Sequence, residues 1–307
     1  MPKPMTANEL AQIDSWINGV TYEVCFWKGR LTKKWRQSLA KRLKTKNLLN
    51  LEFFPHDQIK AHLDGFNLSE YHILDVGCGL AFHTCADTCV ENTAIHFHYV
   101  DPLAPFYNEI IHELKMDVPQ IEFSFVEYLS AFFEIDSTPL IIIRNALDHS
   151  FDPVKGIVEC VNVLMRGGIL YLAHIRNEAE HNNYLGFHQY NIDAANGELI
   201  IWGRNYRVNI NELLSGIAAV ATKVERDIIY AKITKLEDAA HLLTKNKDCN
   251  LLCLQLMHTI QKVSSIKFVF MYQCKKIFQY FFFFFSNLAP VSLKENVKKA
   301  YRSRSNG

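Results

Sequence analysis

The sequence predicts an α/β protein built on a doubly wound, mostly parallel sheet of seven strands, and three observations carry that prediction. The apolar run His72-Ile73-Leu74-Asp75-Val76 ends in a turn bracketed by Gly77 and Gly79. A parallel strand delivers its carboxyl end into a glycine-rich loop in this way. A second run, Ile95 to Val100, ends on Asp101, twenty-two residues after Gly79. A third, Leu140-Ile141-Ile142-Ile143, is apolar throughout, the mark of a strand covered on both faces.

The elements follow in order. Residues 1–65 read as a mostly helical extension. Within it, Trp35, Leu39, Leu43 and Leu48 stand at nearly helical spacing, so 28–46 is predicted as one amphipathic helix. Gly77 and Gly79, with Cys78 between them and Asp75 before them, let the backbone turn sharply and approach a ligand where a Cβ would clash. A dinucleotide fingerprint needs a third glycine, and Phe82 occupies that place. A helix-like stretch follows. Asp101 has two readings: a carboxylate there accepts the ribose hydroxyls of an adenosine, or it caps a helix beginning near Leu103. Pro102 suits the first turn of that helix.

Residues 121–125 read as a third strand, followed by Val126-Glu127-Tyr128. The strand Leu140–Ile143 opens into Arg144-Asn145-Ala146-Leu147-Asp148-His149. Asp152-Pro153 starts a helix through Leu164, closed by Met165-Arg166-Gly167-Gly168 with glycine at the left-handed C′ position. Residues 169–174 form a fifth strand. Residues 177–210 read as an insertion, a loop and then a hairpin of 198–202 with 206–210. A helix over 211–220 and strands at 222–226 and 228–234 complete the sheet. The main domain is therefore 66–235. Residues 236–307 form a helical, basic, Phe-rich C-terminal extension.

Asp-Val-Gly-Cys-Gly, Asp101, Asn-Ala-Leu-Asp-His, Asp-Pro and Arg-Gly-Gly before an apolar strand resemble, in order and spacing, the class I S-adenosylmethionine (SAM)-dependent methyltransferases. The resemblance spans roughly residues 70–235. Glu23-Val24-Cys25-Phe26-Trp27, Asn177-Glu178-Ala179-Glu180 and Tyr184-Leu185-Gly186-Phe187-His188-Gln189-Tyr190 look like a narrower set, associated with bacterial surface glycan and secondary-metabolite genes. The loop departs from a common family pattern in carrying Ala81 where glycine is frequent. The resemblance implies a Rossmann-like sheet and SAM as cofactor. It places Asp75, Gly77, Cys78, Gly79, Asp101, Pro102, Glu127, Tyr128, Asn145 and Ala146 at the cofactor, with Glu127 and Tyr128 beside the adenine. It also implies that the N-terminal extension covers the substrate side, and that the acceptor is a small hydroxylated molecule such as a sugar or glycan intermediate. A methyltransferase fold that binds partners without turnover, and an RNA methyltransferase, remain the alternatives.

Methylation of a hydroxyl requires that its proton be taken. The candidates are Asp148 and His149 after the fourth strand, His174 at the end of the fifth, and Glu178, His181 and His188 in the insertion. His149 is slightly preferred over His188 as base. The same carboxylates and histidines offer a second chemistry, a divalent metal that acidifies the acceptor, though no metal site is assigned. Against both, Asp148 can cap the following helix and His149 can be a hydrogen-bonded core residue.

Composition agrees with a cytosolic enzyme. Of 307 residues, 49% are apolar, enough for a substantial core, and 33 basic residues nearly balance 32 acidic ones. The start Met-Pro-Lys-Pro-Met is polar and carries no signal-peptide pattern. Eight cysteines without a paired framework read as reduced thiols. Cys85/Cys89 and Cys249/Cys253 are spaced to share helical faces. The charge is segregated: nine basic residues and no acidic one lie between Lys28 and Lys46, and nine basic residues face only Glu295 beyond Gln261. The tail, with Tyr280 followed by Phe281 to Phe285, is broken by lysines and falls short of an apolar span of roughly twenty residues. It has two readings: packing on the domain or a second subunit of a homodimer, or peripheral membrane contact through 266–307. No nucleic-acid-binding module is visible, so no specific nucleic-acid partner is expected.

Overall fold

The computed structural model describes residues 7–44, 56–66, 71–82, 89–90, 93–94 and 96–237. The expectations for 83–88, for helix 251–263 and for the aromatic tail lie outside the described residues. The chain divides into two compact units, 1–261 and 262–307, and every described element belongs to the first.

Two helices replace the single one expected around 28–46: α1 (Ala7–Arg30) and α2 (Lys33–Lys44). Thr32 separates them because its Oγ1 accepts the Trp35 N–H at 3.2 Å, an N-cap that starts a new helix. A short α3 (His56–Leu63) buries Ile59 and Leu63. The first strand, β1 (His72–Val76), leads through the glycine turn to the two-residue β2 (Cys89–Val90) and β3 (Thr93–Ala94) and then to β4 (His96–Val100). Cys89 thus lies on a strand, not a helix. In α4 (Ala104–Glu113) the proline of the first turn is Pro105, and Pro102 sits in the turn ahead of it.

After α5 (Leu129–Phe132) come β5 (Thr138–Arg144), α6 (Pro153–Val163) and β6 (Leu164–Ile175). Strand β6 begins directly where α6 ends. Gly167, at φ +79°, therefore serves a register shift against β5 and not a helix end. The insertion holds α7 (Glu178–His181) and a three-stranded antiparallel sheet, β7 (Asn191–Ala195), β8 (Glu198–Trp202) and β9 (Arg207–Asn209). Sequence patterning predicts only the last two of these strands. Helix α8 (Ile210–Leu213) is four residues long, far shorter than the expected 211–220, because β10 (Ala218–Glu225) already starts two residues after Gly216. The last strand is β11 (Ile228–Lys235).

The main sheet has the order β10-β11-β6-β5-β1-β4, parallel from β6 to β4 and closed by an antiparallel hairpin. Six strands are hydrogen-bonded. The seventh position, beyond β4, holds one parallel bridge, Val100 to Glu122. Pairing stops there because the Asn108 side-chain amide takes both the N–H and the C=O of Ile121, at 3.0 and 2.7 Å. Alternate strand residues enter opposite cores. Leu74, Ile141, Ile143 and Leu170 face α6, whereas Ile73, Ile142 and Tyr171 pack with α3. Both faces are covered, as a Rossmann-like α/β fold requires.

Candidate cofactor and acceptor site

The carboxyl ends of β4, β1, β5 and β6 stand side by side in the sheet, and the loops leaving them carry nearly every residue singled out in the sequence. Gly77 and Gly79 have φ of +66° and +51°. A Cβ on Gly77 would stand 2.5 Å from the Ala146 Cβ, and one on Gly79 3.1 Å from the Trp27 indole. The loop is therefore pressed between the turn after β5 and helix α1, and only glycine fits. The Gly77 and Cys78 N–H groups both donate to the Val100 carbonyl, at 2.8 and 3.3 Å, which ties the loop to β4. Asp75 is fully buried within β1.

Asp101 does not cap α4, whose N-cap is Leu103, but braces the turn ahead of it. Its Oδ1 accepts the Leu103 N–H at 2.8 Å, and its Oδ2 accepts the Gly79 N–H at 3.1 Å. Burial pushes its carboxyl up to about 7; the two N–H donors oppose this and the Glu23 charge adds to it. Each carboxylate oxygen can accept a second hydrogen bond, so this geometry leaves acceptor capacity for ribose hydroxyls. One feature suits an adenosyl group: a buried carboxylate beside the glycine turn, able to accept hydroxyls.

Glu127 lies in a buried turn and its Oε1 accepts the N–H groups of Phe151 and Asp152, at 2.7 and 3.1 Å. Burial raises its carboxyl to about 7. Tyr128 is buried, with the Lys155 ammonium 3.8 Å from its ring centre. These contacts give both residues a structural task at the start of α6. Asn145, at φ +48°, donates its N–H to the Ala173 carbonyl and accepts the Ile175 N–H on Oδ1, joining the ends of β5 and β6.

The acceptor candidates converge. Asp148 and His149 lie in the turn after β5, His174 near the end of β6, Glu178 on α7 and His188 beyond it. His188 Nδ1 is 2.8 Å from Asp148 Oδ2 and 3.2 Å from His149 Nε2. His174 Nδ1 is 3.8 Å from Asp148 Oδ1, and Glu178 Oε1 is 3.9 Å from His188 Nδ1. Burial alone would raise the Asp148 carboxyl, but His149, His188 and His174 together outweigh it and pull the group down to about 2. Burial opposes charge on His188, yet the hydrogen bond to Asp148 and the negative charge there raise the imidazole above its ordinary value. Glu178 is raised by burial and by the Asp148 charge. Asp148, His149 and His188 each offer one ligand atom, all within 4.8 Å of one another, so the group can also hold a metal ion. The helix cap assigned as an alternative to Asp148 belongs instead to Asp152, whose Oδ1 accepts the Lys155 N–H at 3.0 Å. His181 is exposed and stands outside the hydrogen-bonded and ion-paired contacts of this cluster.

Helix α1 supplies residues that the sequence patterning does not place in the site. Trp16 stacks on Phe187, with centroids 5.2 Å apart, and its Nε1 donates to the His149 carbonyl at 2.8 Å. Trp27 lies against Gly79 and donates to Glu23 Oε1 at 2.8 Å. The signal was present: Trp16, Val20, Glu23 and Trp27 are spaced four, three and four apart, which puts a carboxylate on the apolar face of a helix.

No protein-family model and no curated protein matches the chain in sequence. Among solved structures, it is similar to a SAM-dependent methyltransferase from Clostridium acetobutylicum, at 13% identity over 58% of this chain and 89% of that one, with a TM-score of 0.36. It is also similar to a SAM-dependent methyltransferase from Aquifex aeolicus, at 14% identity over 64% and 98%, with a TM-score of 0.32. A third likeness is to the CMeT domain of a citrinin polyketide synthase, at 14% identity over 55% and 47%, with a TM-score of 0.36. The assignment of the fold rests on strand order and register, not on these likenesses.

Proposed function

We propose that the chain is a SAM-dependent methyltransferase that methylates a hydroxyl of a small acceptor, a sugar or glycan intermediate. One observation carries the reading. The glycine cradle with Asp101 and the carboxylate–histidine cluster follow neighbouring strands at the same end of one sheet, and touch through Gly77 and Ala146. The cofactor supplies an electrophilic methyl carbon. Gly77, Cys78 and Gly79 would lie along it, and Asp101 would accept the ribose hydroxyls. The protein's part is to hold the acceptor oxygen in line and take its proton.

His188 is the base this geometry favours over His149. Asp148 holds its Nδ1 and stabilises the imidazolium that forms, which leaves Nε2 to receive the acceptor's proton. Trp16, Phe187 and Phe151 pack on one another beside His149, with Trp16 Nε1 donating to the His149 carbonyl, and would hold the acceptor turn in place. The sugar as acceptor follows from the resemblance of the insertion to glycan-associated enzymes.

A second reading uses the same atoms. The clustering of Asp148, His149 and His188 within metal-ligand reach suits a divalent ion that acidifies the acceptor. Incubating the purified chain with methyl-labelled SAM and a panel of sugars and nucleotide-sugars, with and without chelator, tests both. Labelled product that survives chelator supports the histidine base; product lost with chelator favours the metal. Absence of product from every hydroxylated acceptor, by a chain that binds SAM, overturns the acceptor assignment and favours a binding protein.

A further inference from the structure

A second cluster of ligand-type side chains lies at the opposite, amino-terminal end of the same strands. His72 opens β1 and His96 opens β4, and the two are register partners. His98 is two residues further along β4, so it projects from the same face of the sheet. The His72 ring is 5.8 Å from that of His96 and 4.5 Å from that of His98, centre to centre. Glu122, whose neighbour on the sheet is Val100, places Oε1 2.6 Å from His98 Nδ1. His72 and His96 are exposed and His98 is half-buried.

We propose that His72, His96 and His98 bind a borderline-soft divalent metal ion, zinc above all, with Glu122 orienting His98. A His-x-His pair on one strand with a histidine on the next places three imidazoles on one face; their ligand atoms stand farther apart than those of the Asp148 cluster, and the exposed His72 and His96 rings would turn to meet one ion. Zinc accepts such a three-histidine set and leaves a fourth place for water. With zinc–nitrogen bonds of about 2.1 Å in a tetrahedral site, imidazole centres stand about 5 Å apart, and the His72 ring already lies near that distance from each of the other two. Glu122 accepting the His98 Nδ1–H leaves Nε2 as the ligand atom; metal-bound histidines commonly have such a carboxylate behind them. All-imidazole donors favour zinc, copper or nickel over magnesium or calcium.

The site is separate from the catalytic cluster. Five-residue strands at a rise of about 3.3 Å per residue put it about 13 Å from the glycine loop at their far ends. A bound ion would pin β1 to β4 at the end remote from the cofactor. The inference is independent of the methyltransferase reading, and a chain that transfers no methyl group would still bind the ion.

The test is calorimetric titration of the tag-free, chelator-stripped full chain with zinc chloride at pH 7.5. Wild type and His188→Ala should both show a site of micromolar or tighter affinity that His72→Ala and His96→Gln weaken by at least tenfold. Both of these side chains are exposed, so the two variants should fold. Glu122→Gln should weaken the same site by about tenfold, the usual effect of losing such a supporting carboxylate. If the His72→Ala and His96→Gln isotherms superpose on wild type, or if the site is lost in His188→Ala alone, the proposal is wrong. In the latter case the zinc belongs to the cluster at Asp148.

Discussion

Asp101 and Asp148 are both buried aspartates just beyond the carboxyl ends of parallel strands, β4 and β5, that flank β1 in one sheet, yet they are driven in opposite directions. Asp101 has two backbone N–H donors and a neighbouring glutamate, and burial lifts it to about 7. Asp148 is as deeply buried but faces three histidines, and falls to about 2. With burial alike, the partners decide the difference between them. A carboxylate that hydroxyls can bind through its remaining lone pairs suits a cofactor's ribose. A permanently charged carboxylate against imidazoles suits a base that must carry a proton in mid-reaction.

The largest effect should come from Gly77→Ala. Its left-handed φ and the 2.5 Å approach to Ala146 force the cradle and the acceptor turn apart. Backbone strain alone costs about 1–3 kcal/mol, so the variant should lose cofactor binding and turnover together; calorimetry beside an activity assay would read both. His188→Ala should separate the two halves, lowering turnover by about 10²–10⁴ and leaving the cofactor dissociation constant unchanged. Normal turnover in that variant would move the base to His149. Asp101→Ala should do the reverse, weakening cofactor binding by roughly ten- to a hundredfold, the loss expected for hydrogen bonds to a charged group.

Stability against pH sharpens the contrast at smaller cost to the fold. A carboxyl raised from about 4 to about 7 keeps its proton in the folded chain after the unfolded chain has released it. Asp101, with Glu127 behaving alike, therefore favours folding at low pH, and that contribution declines as pH rises from about 4 to 7. Asp148 has the opposite sign: its contribution is present above about 4 and lost as pH falls towards 2. Melting temperatures across pH 2.5–8 should show the upper slope reduced in Asp101→Asn, with the Glu127 part remaining, and the lower slope reduced in Asp148→Asn.

The glycine turn and its carboxylate were legible in the sequence because their determinants are local: a strand, two glycines and Asp101 at fixed spacing. The acceptor half was legible only as a set of candidates. His188 meets Asp148 across forty residues, and nothing in either segment encodes that distance. Glu127 carries contacts that the sequence does not show, since its carboxylate accepts the Phe151 and Asp152 N–H groups before α6. The Gly167-Gly168 pair misleads for a related reason. Glycine marks a left-handed turn in both a helix end and a strand irregularity, and only the register of β6 against β5 distinguishes them. Trp16 and Trp27 escaped because an amphipathic helix face reads as core until what it packs against is known.

Calorimetric titration with SAM and with S-adenosylhomocysteine, run on wild type and Asp101→Ala, addresses the cofactor assignment most directly. Micromolar-range binding by wild type that weakens at least tenfold in the variant is the expected result. A folded wild type that binds neither compound, or an Asp101→Ala chain that binds both as well as wild type does, would contradict it.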